Sequence, residues 1–462
     1  MAGVYEFELT VTDNGGLSAK DTIQVMVDAP GNQPPVACAG PDQTITLPAN
    51  SVTLNGSCSA NPDNNITAYV WTNITGSTAN IVNPNGAQAQ VTSLMQGTYL
   101  FELKVTDAGG LFSKDTVQVQ VVFVCEPVNR PIVNIPLLTI ANIPVPRTNI
   151  TVATVGNKLV LAGGWMQPGG SPTSRVDIYD FSTQSWSSTN FGIARANMAT
   201  ATLGSKVFFA GGEVPGFVGT SRIDIYDAST NTWSVGQLTS SPHDVSIATL
   251  GNKVFFAAGG VHRNVDIYDD VSKTWSAITL PGSHTSPTAT TAGNKIYFAG
   301  GNELNQARLP SAVIDIYDDA AGSWSVSSLQ QPTAGMAGIF VNNKIYWAGG
   351  VIGYDIVNDV EIGTCKVELR DVNTQTSSFA NLSQPKVFYL DNQQAILYNG
   401  RILFGGVADI YEPLNNTWSI GKLPQNVFVE SVVLINNSLY AIGFVLGSPN
   451  GSLADQVWKL QY

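Results

Sequence analysis

Residues 251–276 read GNKVFFAAGGVHRNVDIYDDVSKTWS. A Gly-Asn-Lys turn leads into a short apolar run that stops at a glycine doublet. A variable loop follows, then Val-Asp-Ile-Tyr-Asp, a polar turn and Thr-Trp-Ser. The same unit returns as LVLAGG…VDIYDFSTQSWS, VFFAGG…IDIYDASTNTWS, IYFAGG…IDIYDDAAGSWS and ILFGG…ADIYEPLNNTWS. Self-similarity at a fixed period of this length is the mark of a repeat architecture. Four β-rich runs separated by turn residues fit in the quoted copy, at residues 245–250, 253–257, 264–268 and 274–277. That is enough for one small antiparallel sheet, which cannot bury both faces alone and must stack on its neighbours.

The glycine doublets fall at Gly163-Gly164, Gly211-Gly212, Gly259-Gly260, Gly300-Gly301, Gly349-Gly350 and Gly405-Gly406. A seventh unit, SLYAIG at residues 438–443, has lost the second glycine. Tyrosine and tryptophan recur at one separation: Tyr179/Trp186, Tyr226/Trp233, Tyr268/Trp275, Tyr317/Trp324 and Tyr411/Trp418. This pattern resembles the kelch motif, with ~50 residues per repeat. The resemblance covers residues 131–462 and implies a β-propeller. Apolar runs opening at Lys158, Lys206, Lys253, Lys295, Lys344, Arg401 and Ser438 predict seven blades. Glycine ends the second strand where backbone must bend or approach closely. Tyrosine and tryptophan supply large apolar area with one polar edge, suited to joining blade to blade. None of these repeated residues is assigned to chemistry.

The chain has 462 residues, a formal net charge of -12 and only 12% charged residues. Its wealth of Gly, Asn, Ser, Thr and Val suits an all-β protein of more than one domain. There is no Lys/Arg run, which argues against nucleic acid or an anionic membrane as partner. No apolar run reaches the ~20 residues that a transmembrane helix needs. The first residues, MAGVYEFELT, have neither the basic nor the apolar region of a signal peptide.

Residues 3–27, GVYEFELTVTDNGGLSAKDTIQVMV, and residues 97–121, GTYLFELKVTDAGGLFSKDTVQVQV, are the same hairpin twice. A lone hairpin is marginal in water. Residues 1–30 therefore read as the C-terminal hairpin of a domain whose earlier part is missing, with any signal peptide upstream. Residues 32–122 hold seven short strand candidates: 36–39, 43–47, 51–55, 68–72, 87–92, 97–106 and 114–122. That number of strands reads as an Ig-like β-sandwich with Trp71 in its core. NQPPVACAGPDQTITLPANSVTLNGSCS, AYVWT and GTYLFELKVTDAGG resemble the PKD domain family, in the form common in surface proteins of Bacteroidota. One departure is Trp71-Thr72-Asn73-Ile74-Thr75-Gly76, where that family often has Trp-Asp-Phe-Gly-Asp-Gly. The resemblance implies an extracellular spacer or adhesive module. Residues 123–132 form a linker that Pro127 and Pro131 keep extended. The propeller occupies residues 133–462. Its last repeat lacks an outermost strand, which residues 133–139 are expected to supply.

The four cysteines show no metal-ligand spacing. Cys38–Cys58 is the favoured bridge; Cys125–Cys365 would pin sandwich to propeller. Both demand an oxidising compartment. In the fifth repeat Arg370 stands where tyrosine is expected and Ser377 where tryptophan is, after a long loop at residues 351–364. A long loop beside a degraded signature is a place to seek function.

No catalytic constellation, metal site or cofactor motif emerges. Some kelch propellers are copper-radical oxidases, which need a cysteine near a cross-linked tyrosine, two histidines and a second tyrosine. Here the propeller's cysteine is Cys365 and no Tyr-His pair accompanies it. The expected ligand site is one rim of the propeller. Arg147, Arg195, His243, Asp244 and His284 precede the inner strands. Trp165, Glu213, His262, Arg263, Glu303, Arg308, Tyr354 and Asp355 follow the glycine doublets. Arginine, histidine, carboxylate and tryptophan together suit an anionic or hydroxyl-rich ligand. The expected function is extracellular or cell-surface binding and adhesion, to a glycan or a protein. The alternative is an enzyme acting on sugars, of the mutarotase, epimerase or oxidase kind.

Overall fold

A computed structural model describes every residue except 1, 29–30, 48, 75–78, 95, 123–124, 126–128, 167–169, 243, 260–261, 305–307, 356–359, 389–394, 448–449 and 452. Every regular element among the described residues is a β-strand, and none of them is a helix long and apolar enough to cross a membrane. The chain divides into two compact units, Met1–Val122 and Phe123–Tyr462.

In the first unit, one sheet orders Gln43–Thr46, Phe112–Val122, Gly97–Asp107 and Ile66–Asn73. A second orders Val52–Asn55, Gln88–Thr92 and Asn80–Val82. Alternation decides which side chains go inside: Tyr99, Phe101, Leu103 and Val105 point one way and join Val117, Val119 and Trp71 in the core. The Trp71 indole N–H donates to the Gly86 carbonyl at 3.1 Å, which satisfies its polar edge. The strand expected at residues 36–39 shrinks to a bridge between Val36 and Ala60, because its amides turn to side chains, Ala37 to Ser113 and Ala39 to Asp115. Cys38 and Cys58 form a disulfide of 2.02 Å. The separate hairpin Gly3–Thr12/Ser18–Val27 repeats the sandwich register: Phe7 faces Ile23 as Phe101 faces Val117. Its described residues are exposed throughout.

Among the described residues, the second unit consists of seven sheets of four or five strands, with short two-stranded additions. The first runs from the inner strand Thr151–Val155 through Lys158–Ala162 and Arg175–Asp180 to the outer strand Ser185–Asn190. The following inner strands are Ala199–Leu203, Val245–Leu250, Thr288–Ala292, Ala337–Val341, Ile396–Tyr398 and Val427–Ile435. Tight turns join the first two strands of each sheet. At Asn342-Asn343 both central residues have positive φ, 50° and 61°, as a two-residue hairpin turn of matching twist requires.

Hydrophobic clusters lie between neighbouring sheets. Val160 of the first sheet meets Phe209 and Tyr226 of the second. Tyr346 of the fifth meets Phe404 and Tyr411 of the sixth. Ile442 and Val457 of the seventh meet Leu159 and Tyr179 of the first, closing the ring. The recurring tyrosine and tryptophan sit directly opposite on adjacent strands, with ring centroids 5.0 Å apart at Tyr179–Trp186 and 4.6 Å at Tyr411–Trp418. Lysines opening the second strands reach the next sheet, as Lys253 does to Asp319 at 2.8 Å.

Closure differs from the expectation in detail. Residues 133–139 do not form one strand. Ile132–Asn134 adds parallel to Thr417–Lys422, the outer strand of the sixth sheet. Leu137–Arg147 supplies the outer strand of the seventh, antiparallel to Ala454–Leu460. The switch occurs at Ile135-Pro136: the Ile135 amide donates to Lys422, while Pro136 has no amide and accepts from Gln461. The bridge Cys125–Cys365 lies within the second unit, whose first residue is Phe123. It ties the segment after Val122 to the fifth sheet.

Candidate functional site

The two loop classes expected to share a rim are bonded to each other, sheet by sheet. Thr148 bridges Trp165, Ala196 bridges Glu213 and Ala334 bridges Val351. In the fourth sheet His284–Thr285 pairs with Asn302–Glu303. The glycine doublets make this possible. Gly163 and Gly164 have φ of 62° and 94°, and a Cβ on either would overlap backbone oxygen, of Arg195 and Thr148 respectively. The Gly164 amide donates to Arg195 of the next sheet, and Gly301 donates likewise to Thr333.

Three residues expected to meet ligand are instead buried in the sheets. The Arg147 side chain donates through Nε to the Gly163 carbonyl at 2.8 Å and through Nη1 to Asp177 at 2.8 Å. Arg195 repeats the pattern, with Nη1 on the Gly211 carbonyl at 2.8 Å and Nη2 on Asp224. His284 does the same with an imidazole: Nδ1 lies 2.5 Å from the Gly300 carbonyl and Nε2 3.0 Å from Asp315. All three are 0% exposed. Burial pushes the Arg195 guanidinium down to about 10, against the pull of Asp224. Burial also lowers Arg147, despite Asp177. Burial pushes Asp177 up, but hydrogen bonds from Arg175 and Ser188 together with Arg147 outweigh it and hold the carboxyl below its usual range. Each ring or guanidinium thus ties the entry of an inner strand to a third-strand carboxylate of the same sheet. Their side chains face protein, not a ligand. His243 lies outside the described residues, as does the side chain of Asp355.

A cleft of ≈ 290 Å³ opens on the rim, among loops of the third to sixth sheets. Its polar lining includes Asp244, Ser286, Asn302, Arg308, Tyr354 and Glu361; Val387 and Phe388 add apolar surface. The exposed Arg308 guanidinium lies 4.0 Å from the Tyr354 ring centroid. Arg308 adopts φ of 79°, an uncommon conformation for a side chain of its size. Tyr354 and Glu361 face each other across the hairpin Val351–Asp355/Val360–Asp371. This hairpin is the long loop of the degraded fifth repeat, so the insertion builds one wall of the cleft. Ser286, Asn302, Glu361 and Phe388 were not singled out in the sequence. Ser286 and Asn302 follow His284 and the Gly300-Gly301 doublet closely, and that proximity was the available signal.

The remaining candidates are spread along the rim. Trp165 is buried beneath Phe217, stacked at 5.3 Å. Glu213 accepts from Asn197 at 3.2 Å. Arg263 reaches the Gly282 carbonyl at 3.3 Å, and His262 is half-buried. The Glu303 backbone pairs with His284. Arg370 in the fifth repeat is structural: it is buried and donates to the Ser328 carbonyl at 3.1 Å and to Ser327 Oγ at 2.5 Å, so hydrogen bonds to the fourth sheet replace the aromatic pair. Among the described residues no cluster of three or more His, Cys, Asp or Glu side chains could hold a metal ion.

Residues 39–121 match the family model of the PKD domain of the KIAA0319-like type, and residues 146–189 that of the Kelch motif. Among curated proteins, similarity is found to the mouse dyslexia-associated protein KIAA0319-like protein, 41% identical over 130 residues. That match covers 28% of this chain and 12% of the relative. The human low-density lipoprotein receptor-related protein 11 is 36% identical over 89 residues, covering 19% of this chain and 18% of that one. The chain thus spans a small fraction of the relatives' length. A solved structure of YjhT aligns with 70% of this chain and 99% of its own, at 14% identity and a TM-score of 0.43. The solution structure of the PKD domain from KIAA 1837 protein aligns with 22% of this chain and 99% of its own, at 36% identity and a TM-score of 0.19.

Proposed function

From a chain that joins a PKD domain to a Kelch-type propeller, we propose an extracellular or cell-surface binding protein that takes a glycan, or a protein's glycan, in the rim cleft. The seven sheets act as seven blades, and the PKD-type modules act as spacers. The cleft carries this reading: it combines two carboxylates, an amide, a hydroxyl and a guanidinium with the ring of Tyr354 and the apolar surface of Val387. Convergent polar groups beside aromatic surface are the usual make-up of a small-ligand site. Carboxylates and amides bond sugar hydroxyls, and an aromatic face stacks on the apolar side of a pyranose. The two disulfides support an oxidising compartment, where such bonds persist.

The test is a glycan array probed with the full chain, with product analysis of every hit. Arg308→Ala combined with Tyr354→Ala is expected to weaken the hit at least tenfold and to leave the melting temperature within a few degrees. Unchanged affinity, or an equal loss from substitutions in the Gly-Asn-Lys turns at the other end of the sheets, would overturn the assignment. Product formation would move the protein to the sugar-acting enzymes.

A further inference from the structure

The segment that follows Val122 is fastened to four successive sheets. Cys125 is bonded to Cys365, on the strand Val360–Asp371 of the fifth. Arg130 enters the sixth, donating to Asp409 at 2.9 Å and to the Asn381 carbonyl, with its guanidinium 4.5 Å from the Trp418 ring centroid. Ile132–Asn134 then extends the sixth sheet, Leu137–Arg147 completes the seventh, and Arg147 ends on Asp177 of the first. The first fastening is covalent and the others are not.

We infer that Cys125–Cys365 is a force clamp, which routes tension between the cleft and the sandwich past the strands that close the ring. Glu361 of the cleft lies on the same strand as Cys365. A pull exerted by held ligand therefore runs along the fifth sheet to Cys365, across the bridge to Cys125, and on to the sandwich. For a pull taken up at Glu361, the bridge bypasses residues 126–360, which include the strands that close the ring. Without the bridge, the same pull arrives at Arg130 and then at the end of Ile132–Asn134. Hydrogen bonds loaded from a strand end break one after another, not together. Peeling this segment takes the Arg130 guanidinium from the buried Asp409, a costly loss. It also takes Val133, Ile135 and Leu137 out of the cluster between the sixth and seventh sheets, and leaves the strand Ala454–Leu460 an open edge. The bridge thus keeps the site intact under a load that would open the ring.

The clamp rests on the cleft as the point of attachment, but its test needs no ligand, so the two readings fail separately. The full chain is held in optical tweezers by handles at Ala2 and at Asn373, an exposed turn residue of the fifth sheet. The oxidised chain is expected to extend by unfolding the sandwich, with no event from the propeller. Cys125→Ser is expected to add an event at lower force that precedes sandwich unfolding. The sequence separation of 240 residues, at ~3.5 Å per residue, sets its length at roughly 800 Å. If Cys125→Ser does not fold, the oxidised chain is tethered first and reduced in place, and the same event is sought by its length. A propeller that stays closed, without the bridge, until after the sandwich has unfolded would overturn the inference.

Discussion

At the scale of single residues, the third-strand carboxylates are the most demanding groups in the propeller. Asp177, Asp224, Asp315 and Asp409 are all buried, and each has a cationic or imidazole partner. The partners differ in redundancy. Asp177 is also held by Arg175 and Asp224 by Arg222, whereas among the described residues Asp315 has the Gly282 amide, at 2.9 Å, beside its bond to His284. Removing one member of a buried pair strands the other, at a cost of about 3–5 kcal/mol. His284→Ala is therefore expected to destabilise the chain by an amount in that range in denaturant titration. Arg147→Ala should cost less, because Arg175 remains on Asp177. Equal losses from the two substitutions would contradict this account. The sequence puts these residues at the entries of the inner strands but does not show which way they point. An arginine entering an inner strand reads alike whether it faces ligand or a carboxylate in its own sheet. Tyr354, by contrast, sits in the long loop of the fifth repeat, and with Arg308 it lines the cleft.

Among the elements, the turn between the third and fourth strands carries a recurring aspartate. Asp180 accepts from the Ser182 amide at 2.8 Å, Asp227 from Ser229 at 2.9 Å, Asp318 from Ala320 at 3.1 Å and Asp371 from Asn373 at 2.9 Å. Bonds of this kind favour the charged carboxylate, and all four are held below the usual range. A depressed carboxylate contributes stability that is full above its unfolded value, ~3.9, and is lost as pH falls through the folded value. The melting temperature is expected to hold from pH 7 to about 5 and to fall below pH ~4. Replacing the four aspartates by asparagine should flatten that acid limb by lowering the neutral plateau towards the acid value. A slope that survives the substitutions would assign acid sensitivity to the buried third-strand carboxylates instead. The turn was legible in the sequence because Asp followed at short range by Ser, Thr or Asn marks a backbone turn wherever it stands.

Over the whole molecule, the repeat was legible because each unit spells its own sheet, from the two-residue turn to the facing tyrosine and tryptophan. The closing segment was harder to read, because it belongs to no repeat. Its apolar residues, Ile132, Val133, Ile135, Leu137 and Leu138, form one run in sequence. Only Pro136, lacking an amide, divides them between two sheets. The division gives a prediction of its own. Deleting residues 123–136 removes the parallel strand, Arg130 and the disulfide, but leaves Leu137–Arg147 to complete the seventh sheet. Deleting residues 123–147 also removes that strand, and with it Arg147 from Asp177. The shorter deletion is expected to lower the melting temperature while one cooperative transition is kept, since each sheet retains four strands. The longer deletion opens the edge at Ala454–Leu460 and uncouples the seventh sheet from the first, where Ile143 and Ile150 lie in the shared cluster. Calorimetry of the longer form should show a broadened or split transition, with light scattering reporting association through the open edge. Indistinguishable transitions for the two deletions would mean that Leu137–Arg147 does not close the ring.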